Sequence, residues 1–165
     1  MAAAEGLSFN EYCVRRLAEP EPLTGMATAV LRGRIVAAAR AAHGDRLVGV
    51  VVIGSWARGD AGAGSDIDVL LVLDPGVPLT RELYRAWDAS APTVEGPAVD
   101  VHFTHPHVPG TMPGAVWCEA AVDGVVWYDR GGRVGAALAD VRRAIAHGRV
   151  VRAVVHGQPY WKEVA

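Results

Sequence analysis

Lysine occurs once in this chain, at Lys162, and cysteine twice, at Cys13 and Cys118. The cysteines stand 105 positions apart and neither belongs to a Cys-x-x-Cys pair. Neither a zinc site nor a disulfide framework is therefore indicated, and both are expected to be buried thiols. Long hydrophobic runs are also missing. The apolar stretches are strand-sized, which argues against a membrane span, and no N-terminal run reaches the length of a signal peptide. A cytoplasmic location is the expectation. Internal repeats and low-complexity segments are absent apart from alanine richness. At 165 residues the chain is one domain's worth, with enough apolar content for a core and little room for a second large domain.

The formal charge of −2 conceals an asymmetry. Residues 1–129 carry 9 arginines against 16 acids, whereas residues 130–165 carry 7 basic residues against 2 acidic ones, locally about +5. Such an end either forms a solvated helix face, the commoner outcome, or meets an acidic partner or a nucleic acid such as RNA.

The residues present in place of these features are concentrated in one stretch. Leu47 to Val52 are apolar or small and run through Ile53 into Gly54-Ser55-Trp56-Ala57-Arg58-Gly59. This reads as a buried strand ending abruptly at a Gly-Ser turn that opens a short helix. At such a turn Ser55 can cap the helix while its hydroxyl and the neighbouring amides face an anion, and Gly54 lets a phosphate approach the backbone. After a Gly-rich loop comes Ser65-Asp66-Ile67-Asp68, at the head of the apolar run Ile67 to Leu73. Strand alternation points Asp66 and Asp68 to one face. Two adjacent carboxylates repel unless a cation sits between them, and a hard oxygen site beside a phosphate cradle favours magnesium over zinc.

The Gly-Ser turn, loop and Asp-x-Asp strand resemble the signature of the DNA polymerase beta-like nucleotidyltransferase superfamily. The variant Gly-Ser-Trp-Ala-Arg-Gly with Ser-Asp-Ile-Asp is most similar to its small stand-alone minimal nucleotidyltransferases, including antitoxin-like ones. The likeness covers most of residues 45–165, with the specific motifs in its first half. It implies a third carboxylate on a later strand, for which Asp100 in Pro97-Ala98-Val99-Asp100-Val101-His102-Phe103 is the candidate. It further implies catalytic and metal-binding roles for Asp66, Asp68 and Asp100, with Asp100 polarising the attacking hydroxyl. Nucleotide-binding roles follow for Gly54, Ser55, Arg58 and Ser65, although a structural role bracing the loop is slightly favoured for Arg58. Two Mg2+ ions are implied, about 3.5–4 Å apart. The implied reaction is in-line attack of an acceptor hydroxyl on the α-phosphorus of a nucleoside triphosphate, ATP being the expected donor, with pyrophosphate leaving.

The implied fold is α+β, the nucleotidyltransferase fold: a small mixed β-sheet with helices packed on it, in a single domain. Residues 1–22 are expected to be a helical extension, with the domain over 23–165 and its catalytic core at about 45–103. Within the extension, residues 7–18 read as an amphipathic helix capped at Ser8 with Glu11 in the reciprocal position, broken by Pro20 and Pro22. A helix over 24–43 follows, ended by Gly44, with Met26, Val30, Ile35 and Ala38 as its apolar face. Further elements are a strand over 66–73, a helix over 79–89 with Leu83, Tyr84 and Trp87 inward, and the Asp100 strand. A loop over 104–114 is expected above the site. Beyond it come a helix over 117–122, a strand over 124–128 and a helix over 135–147 that Gly148 could end.

Three histidines, His102, His105 and His107, cluster after Asp100, and His102 shares the Asp100 face if the strand continues. Loop or hydrogen-bonded histidines are the expectation, with proton removal from the acceptor as a second role for His102. The tryptophans are expected in the core, Trp56 beside the phosphate turn being the one placed to stack on a base. The acceptor is open: a protein, an RNA or a small molecule. Relatives that modify aminoglycosides carry a large helical C-terminal domain, whereas about 65 residues follow Asp100 here. A second chain, either a helical HEPN-like partner or a second copy, is expected to complete the site. The alternative readings are an antitoxin of a HEPN-type pair and an aminoglycoside-type nucleotidyltransferase.

Overall fold

A computed structural model describes residues 26–62, 64–90, 97–156 and 158–164. The expected helix over 7–18, the extension 1–22, Cys13 and the side chain of Met26 lie outside the described residues. In order, the elements are α1 (Met26–His43), a 3-10 turn (Gly44–Arg46), β1 (Leu47–Ile53), α2 (Gly54–Arg58), β2 (Ile67–Leu73), α3 (Arg81–Ser90), β3 (Val99–Thr104), α4 (Ala115–Asp123), β4 (Val125–Asp129), α5 (Arg133–Ala146), β5 (Val150–Val155) and β6 (Gln158–Glu163). No helix among the described residues is long and apolar enough to cross a membrane.

β1 is buried along its whole length because it lies inside a four-stranded mixed sheet of order β3-β2-β1-β4. Its neighbours β2 and β4 are antiparallel to it, and β3 runs parallel to β2 at the edge. A strand covered on both faces needs apolar residues at every position, which is what the run from Leu47 to Ile53 supplies. Gly49 interrupts that run for a reason: a Cβ there would strike the Val134 side chain and the Tyr128 carbonyl. The sheet register shifts at this glycine, so β4 and α5 approach closely where no side chain stands between them.

Two apolar layers cover the sheet. Val48, Val51, Ile53, Leu70 and Val72 pack with α4, α5 and Trp161 of β6. On the other face, Leu47, Val50, Val52, Ile67, Val69, Leu71 and Leu73 pack with Leu31, Ile35 and Ala39 of α1 and Trp87 of α3. The buried stripe of α1 is therefore Leu31, Ile35 and Ala39, spaced by one helical turn, and Val30, expected inward, is exposed. In α3, Trp87 is buried as expected; Tyr84 is half-exposed, its ring meeting Phe103 edge-on at 4.9 Å while its hydroxyl accepts a hydrogen bond from the Phe103 amide.

The basic C-terminal segment engages this chain's own groups. Arg130 and Arg133 each donate to the Asp74 carboxylate at 2.7 Å. Arg142 donates to the Ala121 carbonyl, Arg143 pairs with Asp140, and Arg152 lies 3.6 Å from Glu119. α5 begins where the Asp129 carboxylate accepts hydrogen bonds from the amides of Val134 and Gly135. Beyond α5 the chain forms an antiparallel hairpin, β5 with β6, which is not among the elements expected from the sequence. Trp161 ties it to α4 by donating to Glu119. Cys118 is buried, as expected, and burial pushes its thiol pKa up to about 12.

Candidate active site

The end of β1 lies beside the start of β2, and the start of β2 beside the start of β3. Antiparallel register pairs Ile53 with Asp68, and parallel register pairs Asp68 with Asp100 and Leu70 with His102. Along β3, Val101 and Phe103 are buried while Asp100 and His102 are exposed, the period-two alternation of an edge strand with one covered face. Asp68, Asp100 and His102 thus share one face of the sheet. Each offers a ligand atom, and these atoms all lie within 4.8 Å of one another.

The turn after β1 is shaped around this cluster. Gly54 has φ +71°, and a Cβ at that position would collide with the Asp68 carboxylate. The glycine therefore meets two demands, a left-handed backbone and contact with the carboxylate. The helix begins at Gly54 itself and Ile53 occupies the cap position, so Ser55 sits in the first turn of α2 and not at its cap. α2 ends after one turn at Gly59, which is left-handed at φ +76°.

The loop that follows is braced from within. The Asp60 amide donates to the Ser55 carbonyl at 3.0 Å, and Arg58 pairs with the Asp60 carboxylate at 3.2 Å. Trp56 donates its indole N–H to the Ser65 carbonyl at 3.2 Å, and Ser65 Oγ accepts from the Gly62 amide. Arg58 thus contacts the loop through the Asp60 side chain. Half-buried Trp56 packs on the core beside Ala57.

Asp68 is half-buried and pairs across the strands with Asp100. Burial raises its pKa above the usual carboxylate range; the Asp100 charge adds to the rise, His102 opposes it, Asp66 adds again and Arg58 opposes weakly. Asp66 is exposed in the turn before β2, outside the group of converging ligand atoms. His102 Nε2 lies 3.7 Å from Asp100 Oδ2. The two later histidines belong to the scaffold. His105 bonds to the Val77 carbonyl at 2.8 Å, and buried His107 bonds to Asp140 at 3.2 Å. The sequence contained the Asp-x-His alternation that puts His102 beside Asp100; that Asp100 joins Asp68 was implied by the family resemblance and not by the pattern of either strand.

Two carboxylates forced together, one of them raised in pKa, form a set of donors suited to a divalent cation. Hard oxygen donors dominate, and the imidazole adds one nitrogen.

Residues 34–112 match the model of the nucleotidyltransferase domain family. No curated protein matches the sequence. Among solved structures the chain is similar to a mutant of the toxin–antitoxin MntA-HpeT carrying two Asp-to-Glu replacements, at 13% identity and a TM-score of 0.50, with 72% of this chain and 89% of that one covered. It also resembles a toxin–antitoxin crystallised with AMP-PNP, at 16% identity and a TM-score of 0.48, with the same coverage. A third likeness is to a candidate nucleotidyltransferase from Sulfolobus solfataricus, at 20% identity and a TM-score of 0.42, covering 76% of this chain and 92% of that one. The matched stretch contains the Gly-Ser turn and all three aspartates of the motif, and the sheet is the small mixed one expected from it, so that residues 34–112 are similar to a nucleotidyltransferase domain.

Proposed function

We propose that this domain transfers a nucleoside monophosphate from a nucleoside triphosphate, ATP being the expected donor, to a hydroxyl group of a protein, an RNA or a small molecule. The observation that carries the reading is the convergence of Asp68 and Asp100 beside the Gly54 turn, within the matched domain. In this reading Asp66, Asp68 and Asp100 hold divalent cations, Mg2+ with two ions expected. When bound, the cations neutralise charge on the phosphates and on the attacking and leaving oxygens.

The chain's own residues perform the rest. Gly54 keeps the backbone of the turn bare, so the β- and γ-phosphates can approach the amides of the turn and the Ser55 hydroxyl. Arg58 and Ser65 hold the loop beside them. Asp100, on the open edge strand, faces the side from which the acceptor arrives and orients its hydroxyl in line with the bond to be broken. A bond forms between the acceptor oxygen and the α-phosphorus, the α–β phosphoanhydride bond breaks, the hydroxyl gives up its proton and pyrophosphate departs.

The exposure of Asp100 and His102 favours a second element of the reading. A site open on its acceptor side is completed by another molecule, and a toxin partner of helical HEPN type is the proposed one, as adenylylation target or as masked protein. A second copy of this chain is the alternative, and an aminoglycoside acceptor ranks below both.

The test is calorimetric titration of the four ribonucleoside triphosphates into wild type and Asp68→Asn, with and without Mg2+. Metal-dependent binding of one nucleotide, lost in the variant, supports the assignment. Absence of binding by wild type, or binding unchanged in Asp68→Asn, would sink it.

A further inference from the structure

We propose that His102 is itself a metal ligand of this site and that its imidazole shifts the preference of the site from Mg2+ toward Mn2+, an inference that rests on the transferase reading above. Its Nε2 faces the carboxylates and belongs to the same converging group as the oxygens of Asp68 and Asp100, all within 4.8 Å. The 3.7 Å separation from Asp100 Oδ2 exceeds a hydrogen bond. Two donors about 2.1 Å from one ion stand about 3–4 Å apart, so the pair is spaced as ligands are.

Three later histidines are occupied differently. His105, His107 and His147 each bond to a fixed oxygen, of Val77, Asp140 and Arg143 respectively. His102 instead stands half-exposed at an edge, one pleat beyond Asp100 and level with Leu70, which is fully buried. Its ring therefore borders the carboxylates on the side where the sheet turns apolar.

Mg2+ demands oxygen donors in a near-ideal octahedron and keeps its waters, whereas Mn2+ accepts imidazole nitrogen alongside carboxylate. A ligand set of two carboxylates and one imidazole consequently loses little with Mn2+ and gains little with Mg2+. The rival role for the ring is a counter-cation that only softens the repulsion between the carboxylates. The two roles differ in sign: removing a ligand weakens metal binding, and removing a counter-cation strengthens it for every metal.

The experiment uses the full chain and the metals alone. Mn2+ and Mg2+ are titrated by calorimetry into wild type, His102→Ala, His102→Asp and Asp68→Asn, and the Mn2+ samples are examined by pulsed electron paramagnetic resonance for nitrogen coupling. Wild type is expected to show the nitrogen signature. His102→Ala should lose it and bind Mn2+ about tenfold more weakly, with Mg2+ affinity changed by less than about threefold. His102→Asp should swing the preference back toward Mg2+. Circular dichroism checks that each variant is folded, and half-exposed His102 should tolerate both replacements.

No nitrogen coupling in wild type, an equal loss of both metals in His102→Ala, or tighter binding of both, would overturn the proposal. Asp68→Asn separates this failure from a deeper one. If it loses both metals while the His102 variants change neither preference nor coupling, the metal site stands and only the histidine assignment falls. If Asp68→Asn still binds Mn2+ normally, the transferase site and the histidine assignment fall together.

Discussion

Strand β2 starts with one aspartate and ends beside another, and the chain surrounds them in opposite ways. Asp74, just past Leu73, accepts hydrogen bonds from Arg133 and Arg130, and these hold its carboxyl below the usual range. Asp68, at the other end, faces Asp100 and has its pKa raised by burial and by that charge. At the Asp74 end, opposite charges are brought together and the fold gains from them. At the Asp68 end, like charges are brought together at the fold's expense, an arrangement that fits the cation site proposed above. Arg143 and Arg152 of the C-terminal segment belong to the first kind as well, paired with Asp140 and Glu119, so part of the local excess of positive charge is met within the chain.

The largest effect that could break this contrast is on ligand binding. Asp68→Asn should reduce Mg2+-dependent triphosphate binding on the order of 100-fold or more, since Asp68 is the carboxylate that stands between Asp100 and the Gly54 turn and would be a ligand of the proposed site. In chelator at pH 7 the same variant should unfold at a temperature equal to or roughly 1–3 °C above wild type, because repulsion is relieved. A fall in melting temperature would instead make Asp68 a structural residue and erase the distinction between the two ends.

Gly54→Ala should come next. The substitution sets a Cβ against the Asp68 carboxylate in a left-handed backbone, and the expected cost is about 1–3 kcal/mol in urea unfolding. Because the collision is with Asp68 itself, combining Gly54→Ala with Asp68→Gly should recover part of the loss. Full additivity of the two changes would mean the cost is backbone strain alone.

Asp74→Asn is expected to cost about 1 kcal/mol, the sum of two partly exposed ion pairs. The pH dependence sharpens the comparison, because the two aspartates have opposite signs. A depressed carboxyl contributes stability above its unfolded pKa, and that contribution is lost as pH falls through the folded value. For a raised one, the folded state bears a penalty at neutral pH that is relieved as pH falls through the folded pKa toward the ordinary carboxylate value. In metal-free buffer at pH 7, Asp68→Asn should therefore lie above wild type in stability and Asp74→Asn below it. Both differences should shrink in acid, that of Asp68→Asn at the higher pH. Thermal denaturation of the three proteins from pH 3 to 7 reads both signs.

The same two ends show what the sequence could reveal. The β1 run, the Gly-Ser turn and the alternation around Asp68 and Asp100 are local patterns, and each strand lies where its pattern put it, within a residue or two. Partnership across the sheet is not local. That Asp68 lines up with Asp100, and that His102 reaches the same point, depends on the parallel register of β2 and β3, which neither strand encodes alone. In α1 the failure has another origin. An alanine-rich helix offers several stripes of similar apolarity, and the covering sheet selected Leu31, Ile35 and Ala39 over Val30. The missed β5–β6 hairpin did carry a signal, in Val150 to Val155 followed by His156-Gly157. Its strands are largely exposed, so the apolar alternation that marks a half-buried strand is weak there.

Arg58 tests the contrast at its finest scale, since it stands between the two kinds of charge. It belongs to the site by position and to the scaffold by its pairing with Asp60. An exposed pair two residues apart is worth little, so Arg58→Ala should change unfolding free energy by no more than about 0.5 kcal/mol. If its task is to brace the loop that carries Ser65, triphosphate affinity should fall only about threefold, and Asp60→Asn should reproduce the effect because it breaks the same brace. If the guanidinium contacts phosphate directly, Arg58→Ala should lose at least tenfold in affinity, the scale of a charge-assisted hydrogen bond, while Asp60→Asn leaves affinity unchanged or tighter by freeing the cation. The bracing outcome is the expected one, because the ion pair already commits Nε, and side-by-side calorimetry of the two variants decides between them.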